Sequence, residues 1–247
     1  MPDPIFAHPR LAQIYDTFDG PRDDLDAYLA IANEFGARRI VDLGCGTGCL
    51  ALLLVATGRQ VVGVDPAGAS LEVARTKEAA EEVTWIEGSS SAIPADADAD
   101  LVFMTGNAAQ AVLGDDDWAA LLRDVRAALG PDGLFVFESR RPERRAWEEW
   151  AEDTAPVRAD VSRTGIVEQR SEVTAVELPF VSFRHSYRFP AADPEGDDTE
   201  LTSDSTLRFR SRDELTASLE EAGFTVQEIR DAPDRPGREF VFLARRT

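Results

Sequence analysis

The stretch Ile40-Val41-Asp42-Leu43-Gly44-Cys45-Gly46-Thr47-Gly48 constrains the fold more than any other part of this chain. An apolar run leads into an acid, then into three glycines at alternate positions, then into the apolar stretch Cys49 to Val55. That order predicts a buried strand, a tight turn and the start of a helix. Glycine has no Cβ, so backbone can approach a ligand closely at such a turn. A second apolar strand, Val61-Val62-Gly63-Val64, ends in Asp65, 21 positions after Gly44. An acid about 20 residues beyond the first glycine stands where a ribose can donate to it. The unit of strand, glycine turn, helix, strand and acid reads as a nucleoside-binding site.

The spacing narrows the nucleoside. The dinucleotide fingerprint G-x-G-x-x-G seats a pyrophosphate on a helix N-terminus. Here the third glycine comes one position early and Asp42 stands two residues before the first. An acid there repels a pyrophosphate and attracts a cationic amino acid. The Asp42–Gly48 turn, followed by Val64-Asp65-Pro66, resembles the first two motifs of the class I S-adenosylmethionine-dependent methyltransferases. The resemblance implies S-adenosyl-L-methionine as cofactor and S-adenosyl-L-homocysteine as product. It places Asp42, Gly44, Cys45, Gly46 and Gly48 against the cofactor, with Asp65, beside Pro66, accepting both ribose hydroxyls. A nicotinamide or flavin cofactor is the alternative.

Hydrophobic periodicity supplies the rest of the architecture. Residues 1–36 carry a helical pattern, with Leu11, Ile14, Tyr15 and Phe18 on one face and Leu25, Leu29, Ala32 and Phe35 on another. Strands are expected near 39–43, 60–64, 83–86, 100–104 and 133–138, with helices near 47–57, 68–81 and 116–128 between them. Short apolar strands alternating with helices indicate a buried parallel sheet. Gly130-Pro131-Asp132-Gly133 reads as a turn before the fifth strand. After residue 154 the period becomes two, giving antiparallel strands over 165–178, 180–189 and 200–210. The segment Pro190 to Thr199, rich in acids, Pro and Gly, reads as a mobile hairpin loop. Ser211 opens a capping box before a helix from Leu215 to Ala222, and strands at 224–230 and 239–244 follow.

The expected fold is α/β: a Rossmann-like seven-stranded methyltransferase sheet, mostly parallel with an antiparallel last strand, carrying an inserted antiparallel β layer. The expected divisions are a helical cap at 1–36, a cofactor-binding core at 37–153, a β insertion at 154–205 and the rest of the core at 206–247. The insertion would serve as a substrate cap or a dimer interface.

Ligands of doubly wound sheets lie beyond the C-terminal strand ends. That rule selects Asp42 to Gly48, Asp65 with Pro66, Gly88 to Ser90, Thr105-Gly106-Asn107 and Glu138 to Arg140, with a helix cap as the rival role for Asn107. The resemblance adds Tyr15, as part of a Tyr-Asp pair folded over the cofactor, and Ser89 or Ser90 at the adenine, where relatives often carry an acid. His185, flanked on its own face by Phe183 and Tyr187, is the candidate general base, against a structural role for a partly buried histidine. Arg140, in the only dense basic cluster, is the candidate substrate anchor, since a guanidinium fork suits carboxylates or phosphates. Methyl transfer from a sulfonium expels a good neutral leaving group, so its chemistry requires no metal.

Composition sets outer limits. A net charge of −20 would repel a nucleic acid. No run of 18 apolar residues or signal-like N-terminus is evident, so neither a membrane nor secretion is expected. Two cysteines are too few for a disulfide framework and read as packing residues in a reducing cytoplasm. The reading is therefore a cytoplasmic methyltransferase acting at O or N of a small molecule, monomeric or homodimeric. Methyl transfer to protein or RNA, and binding of the cofactor without transfer, remain alternatives. Met104-Thr105-Gly106-Asn107, Phe137-Glu138-Ser139-Arg140 and Ala146-Trp147 resemble a group of bacterial members of undefined substrate.

Overall fold

Seven strands form the central sheet, and its inner strands are buried on both faces, where a continuous Val/Ile/Leu/Phe run is stable. The structure, a computed structural model, describes residues 1–162, 164–191 and 198–247. Three helices come first: α1 (Pro4–Ala7), α2 (Pro9–Asp19) and α3 (Leu25–Glu34). The wound core follows as β1 (Arg39–Leu43), α4 (Cys49–Val55), β2 (Gln60–Asp65), α5 (Gly68–Arg75), β3 (Val83–Glu87), β4 (Ala99–Met104), α6 (Asp115–Ala128) and β5 (Leu129–Arg140). Then come α7 (Ala146–Glu152), four strands β6 (Val157–Val161), β7 (Gly165–Glu177), β8 (Phe180–Phe189) and β9 (Thr199–Arg208), and finally α8 (Arg212–Glu221), β10 (Phe224–Arg230) and β11 (Glu239–Arg246).

The sheet order is β10-β11-β5-β4-β1-β2-β3. The pairs among β1 to β5 are parallel, and β11 runs antiparallel to both neighbours. This is the expected Rossmann-like sheet with its antiparallel last strand. One face packs Val41, Val102, Phe135, Phe137 and Phe242 against α6 and α8. The other packs Ile40, Leu101, Phe103, Val136 and Val241 against α3 and α4. Side chains alternate between faces along each strand, so Asp42, Glu138 and Glu239 all fall on the α3 face at the C-terminal edge.

The second sheet has the order β6-β7-β8-β9 and is antiparallel throughout. Its inner face holds two apolar clusters. Val161, Val167, Tyr187 and Phe189 pack on Ile5, Leu11 and Ile14 of α1 and α2. Val181 and Phe209 pack on Trp147 of α7. The Ile5 amide donates to Ser203 Oγ at 2.9 Å and pins α1 to β9.

The structure refines several expectations. The helix expected over 68–81 ends at Arg75, and Ala79 takes a left-handed φ of 61° before β3. β6 goes beyond the expected strands, because Val157-Arg158-Ala159-Asp160-Val161 is too short and polar to show its period. Gly130–Gly133 does not precede β5 but loops out within it: Ala99 pairs with Leu129 and Leu101 with Leu134, while Asp132 sits at φ 63°. The capping box is present in both directions, from Ser211 N to Glu214 Oε2 at 2.7 Å and from Glu214 N to Ser211 Oγ at 3.2 Å. Most of the expected Pro190–Thr199 loop, residues 192–197, lies outside the described residues. Among the described residues no helix is long and apolar enough to cross a membrane.

Candidate active site

The glycine turn is held from below by β2. The amides of Gly44 and Cys45 both donate to the Val64 carbonyl, at 2.7 and 3.2 Å, and the Gly48 amide closes the turn on Cys45 O at 2.8 Å. Gly46 has φ 53°, and a Cβ built on it would meet nothing within 4 Å. The turn therefore presents open backbone at its centre. Gly48 serves packing instead. At its φ of 82° a Cβ would lie 2.5 Å from the Trp85 ring. Trp85 of β3 fills the space that the missing side chain leaves.

Asp65 ends β2 at the lip of this turn. Its Oδ2 accepts from the Gly46 amide at 2.7 Å and its Oδ1 from the Ala67 amide at 2.8 Å. Burial raises its pKa, opposed by those two amides. Each carboxylate oxygen keeps a lone pair for a further donor, the geometry that a pair of ribose hydroxyls requires. Pro66, next in the chain, is exposed.

Asp42 is 1% exposed, and its Oδ2 has no hydrogen-bond partner. Burial first, then the Asp65 charge, raise its pKa to about 7. An unpaired carboxylate oxygen at such depth is unfavourable unless a cationic donor meets it. Cys45, also buried, has its thiol pKa pushed up by burial and by Asp42. A methionyl ammonium fits beside Asp42 and a ribose fits at Asp65, so the residues present suit S-adenosylmethionine.

Helix α2 closes over the turn. Thr47 Oγ1 donates to Asp16 Oδ1 at 2.5 Å, and Lys77 Nζ meets Asp16 Oδ2 at 2.6 Å. Next to Asp16, Tyr15 is half-buried against Phe6 with ring centroids 5.3 Å apart, and burial raises its pKa. Asp16, Thr47 and Lys77 are not recognisable as a latch from sequence, because nothing in it joins positions so far apart.

Ser89 and Ser90 part company. Ser89 is exposed at the end of β3 and its Oγ lies 3.0 Å from Ser91 Oγ. Ser90 is buried, and its hydroxyl donates to Asp124 of α6 at 2.7 Å. After β4, Gly106 is exposed and Thr105 half-buried. Asn107 is buried at φ 59°, and its side chain makes no cap bond. Its amide N–H donates to Glu138 Oε1 and its Nδ2 to Glu239 Oε1, both at 2.9 Å. The strand-end rule names Asn107 and Glu138, but nothing in the sequence joins them to Glu239 and Tyr28. Tyr28 of α3 donates to Glu138, whose pKa is raised by burial and by Glu239.

Arg140 Nη1 donates to Gln110 Oε1 at 3.0 Å, and its guanidinium lies 5.2 Å from the Trp150 ring centroid. Burial lowers its pKa. Trp150 is 5.7 Å from Phe183, and Phe183 5.2 Å from His185. His185 continues to Tyr187 at 6.3 Å, and Tyr187 to Phe18 of α2 at 5.6 Å. Arg140 and His185 thus lie along one row of aromatic rings on the inner face of the second sheet. His185 Nδ1 is 2.8 Å from Ser171 Oγ, and burial lowers its pKa, which keeps the ring neutral near pH 7. An open groove of ≈ 500 Å³ among Pro142, Trp147, Leu178, Pro179 and Phe209 contains none of these residues. The polar chemistry lies at the strand ends, and the site is placed there.

Residues 40–133 match the family model described as a methyltransferase domain. The chain is 28% identical over 145 residues to the cypemycin N-terminal methyltransferase of a Streptomyces species, covering 58% of this chain and 59% of that protein. The matched part thus spans about three-fifths of that relative's length. A solved S-adenosylmethionine-dependent methyltransferase from Clostridium acetobutylicum superposes with a TM-score of 0.73 at 16% identity, covering 96% of this chain and 98% of that one. An amino pentose methyltransferase from Micromonospora echinaspora, solved with S-adenosylmethionine bound, gives 0.68 at 24% identity, with 92% of each chain covered. Over residues 40–133 the chain matches the methyltransferase domain, and as a whole it has the fold of the solved S-adenosylmethionine-dependent methyltransferases.

Proposed function

We propose that this protein transfers the methyl group of S-adenosylmethionine to an oxygen or nitrogen of a small molecule by in-line displacement. The observation that carries the reading is the bare Asp42 oxygen facing the glycine turn, with Asp65 at its lip. Asp42 holds the ammonium, Asp65 the ribose hydroxyls, and Gly46, beside Gly44 and Cys45, gives the backbone room between them. Tyr15 and the Thr105–Asn107 loop border the methionyl end, and Ser89 the adenine. The cofactor supplies an electrophilic methyl on a sulfonium. The chain's part is to orient an acceptor in line with it and exclude water, and orientation alone lowers such barriers substantially. Arg140 is the proposed acceptor anchor and His185 the proposed general base, since a neutral imidazole can take a proton.

Two considerations favour a small acceptor over a macromolecule. The net charge of −20 opposes RNA, and the second sheet, packed on α1, α2 and α7, supports a cap that would hinder a large substrate. Among similar proteins, one is named for an amino pentose acceptor and another for the N-terminus of cypemycin.

Calorimetry with S-adenosylhomocysteine tests the cofactor site, and absence of binding to folded protein would sink the proposal. Asp65→Ala removes charge-assisted bonds worth ~1.5–3 kcal/mol each, so affinity should fall at least tenfold. Incubating cell extract with methyl-labelled cofactor tests the acceptor class: label in macromolecules instead of small molecules would refute it.

A further inference from the structure

On the α3 face of the sheet, past the ends of β4, β5 and β11, lies a second polar cluster that meets the proposed cofactor site at Asn107. Glu138 and Glu239 are each 1% exposed and Asn107 is 2% exposed. Glu239 Oε1 takes all the donors offered: Asn107 Nδ2 at 2.9 Å, Arg235 Nη1 at 2.9 Å and, more distantly, Arg140 Nε at 3.8 Å. Glu239 Oε2 and Asn107 Oδ1 have no partner. Buried polar atoms are seldom left so. Both bare atoms are acceptors, and they belong to two side chains already bonded to each other. What is missing is a donor.

Charge points the same way. Arg235 is shared between Glu239 and Asp234, which it meets at 2.7 Å, and Arg140 keeps its closer contact for the neutral Gln110. Glu138 is bonded only to the Tyr28 hydroxyl and a backbone amide. The cluster therefore holds more carboxylate than close cation. It also adjoins the cofactor site: a Cβ on Gly44 would meet Ala108 Cβ, next to Asn107, at 3.3 Å.

We propose that Glu239 and Asn107, backed by Glu138, seat an aliphatic amine of the methyl acceptor. The inference rests on the methyltransferase reading and narrows its acceptor atom to nitrogen. An ammonium docked there donates to Glu239 Oε2 and Asn107 Oδ1. One proton passes to the Glu239 carboxylate and from it to the general base. The freed lone pair then forms the N–C bond as the C–S bond breaks, with the bonding electrons left on sulfur. The positive charge moves from sulfonium to the methylated ammonium, so atoms and charge balance.

Three probes of one skeleton test this by calorimetry, with and without S-adenosylhomocysteine: cyclohexylamine, cyclohexanol and cyclohexanecarboxylate. The amine should bind at least tenfold more tightly than the other two. Glu239→Gln, which keeps the side-chain shape, should remove at least tenfold of that preference. Arg235→Gln should act in the opposite direction and strengthen amine binding several-fold, because Arg235 competes for the same carboxylate. Retained S-adenosylhomocysteine affinity in each variant shows that it is folded. No amine preference in the wild type, a preference that survives Glu239→Gln, or weaker amine binding in Arg235→Gln would each overturn the inference. Wild-type protein that binds no S-adenosylhomocysteine overturns the methyltransferase reading instead, and the two failures are distinct.

Discussion

Asp42→Asn should make the cofactor-free protein more stable and the cofactor site worse. Asp42 is buried with one oxygen unpaired, and its pKa is raised to about 7 by burial and by Asp65. In the unfolded chain an aspartate titrates near ~3.9. The folded state therefore holds this proton more tightly. Its contribution to stability is fully present below the unfolded value, shrinks as pH rises, and is gone above about 7. Each pH unit between the two values is ~1.4 kcal/mol, so ionised Asp42 disfavours the fold by roughly 4 kcal/mol at pH 8. Asparagine keeps the shape without the charge. Denaturant unfolding of cofactor-free protein should find the variant ~2–4 kcal/mol more stable at pH 8, with the gap closing towards pH 4. The cofactor's ammonium needs the ionised form. Wild-type affinity for S-adenosylhomocysteine should therefore fall up to about tenfold per pH unit below 7, and Asp42→Asn should remove both that dependence and about 10- to 100-fold of the affinity. A stability gap that does not change with pH, or a wild type more stable than the variant at pH 8, would refute the reasoning.

Gly48→Ala drives a methyl group into the Trp85 ring at a left-handed φ, and should cost about 1–3 kcal/mol by thermal or denaturant unfolding. Trp85→Leu in the same chain should recover the steric part, and a purely additive double mutant would count against the contact. Asp16→Asn weakens the ties from α2 to Thr47 and Lys77. It should speed cofactor release several-fold in stopped-flow chase, with a smaller effect in high salt, since the Lys77 pair is partly exposed; an unchanged off-rate would argue against a latch. If His185 takes the acceptor's proton, its burial-lowered pKa sets an acid limb below pH 6.5. His185→Gln should abolish that limb and lower kcat more than it changes KM.

The wound core is legible in the sequence because each of its signals is local. Val61 to Asp65 announces a strand and its terminal acid, and Asp42 to Gly48 announces a turn by spacing alone. β6 and the short form of α5 are less legible, since five mixed residues carry no clear period and no proline or glycine marks the end at Arg75. Register is not legible at all. Glu239 lies opposite Arg140 only because β11 pairs antiparallel with β5, and so the network around Asn107 cannot be foreseen. The roles of the serines are equally hidden: Ser90 turns to Asp124, 34 positions away, which no pattern around Ser90 encodes.

The roof over the glycine turn has a consequence for how this chain comes into being. Ile5 is bonded to Ser203, 198 residues later, and α1 and α2 share their apolar cluster with Tyr187 and Phe189. Helices α1 and α2 therefore meet the rest of this apolar cluster only after the strands that carry Val161 to Phe189 have been synthesised. Local pairings such as β1 with β2 can form much earlier, whereas contacts across so long a stretch come late. Helix α2 can reach Thr47 and Lys77 early, whereas Leu11 and Ile14 gain the cover of Tyr187 and Phe189 late.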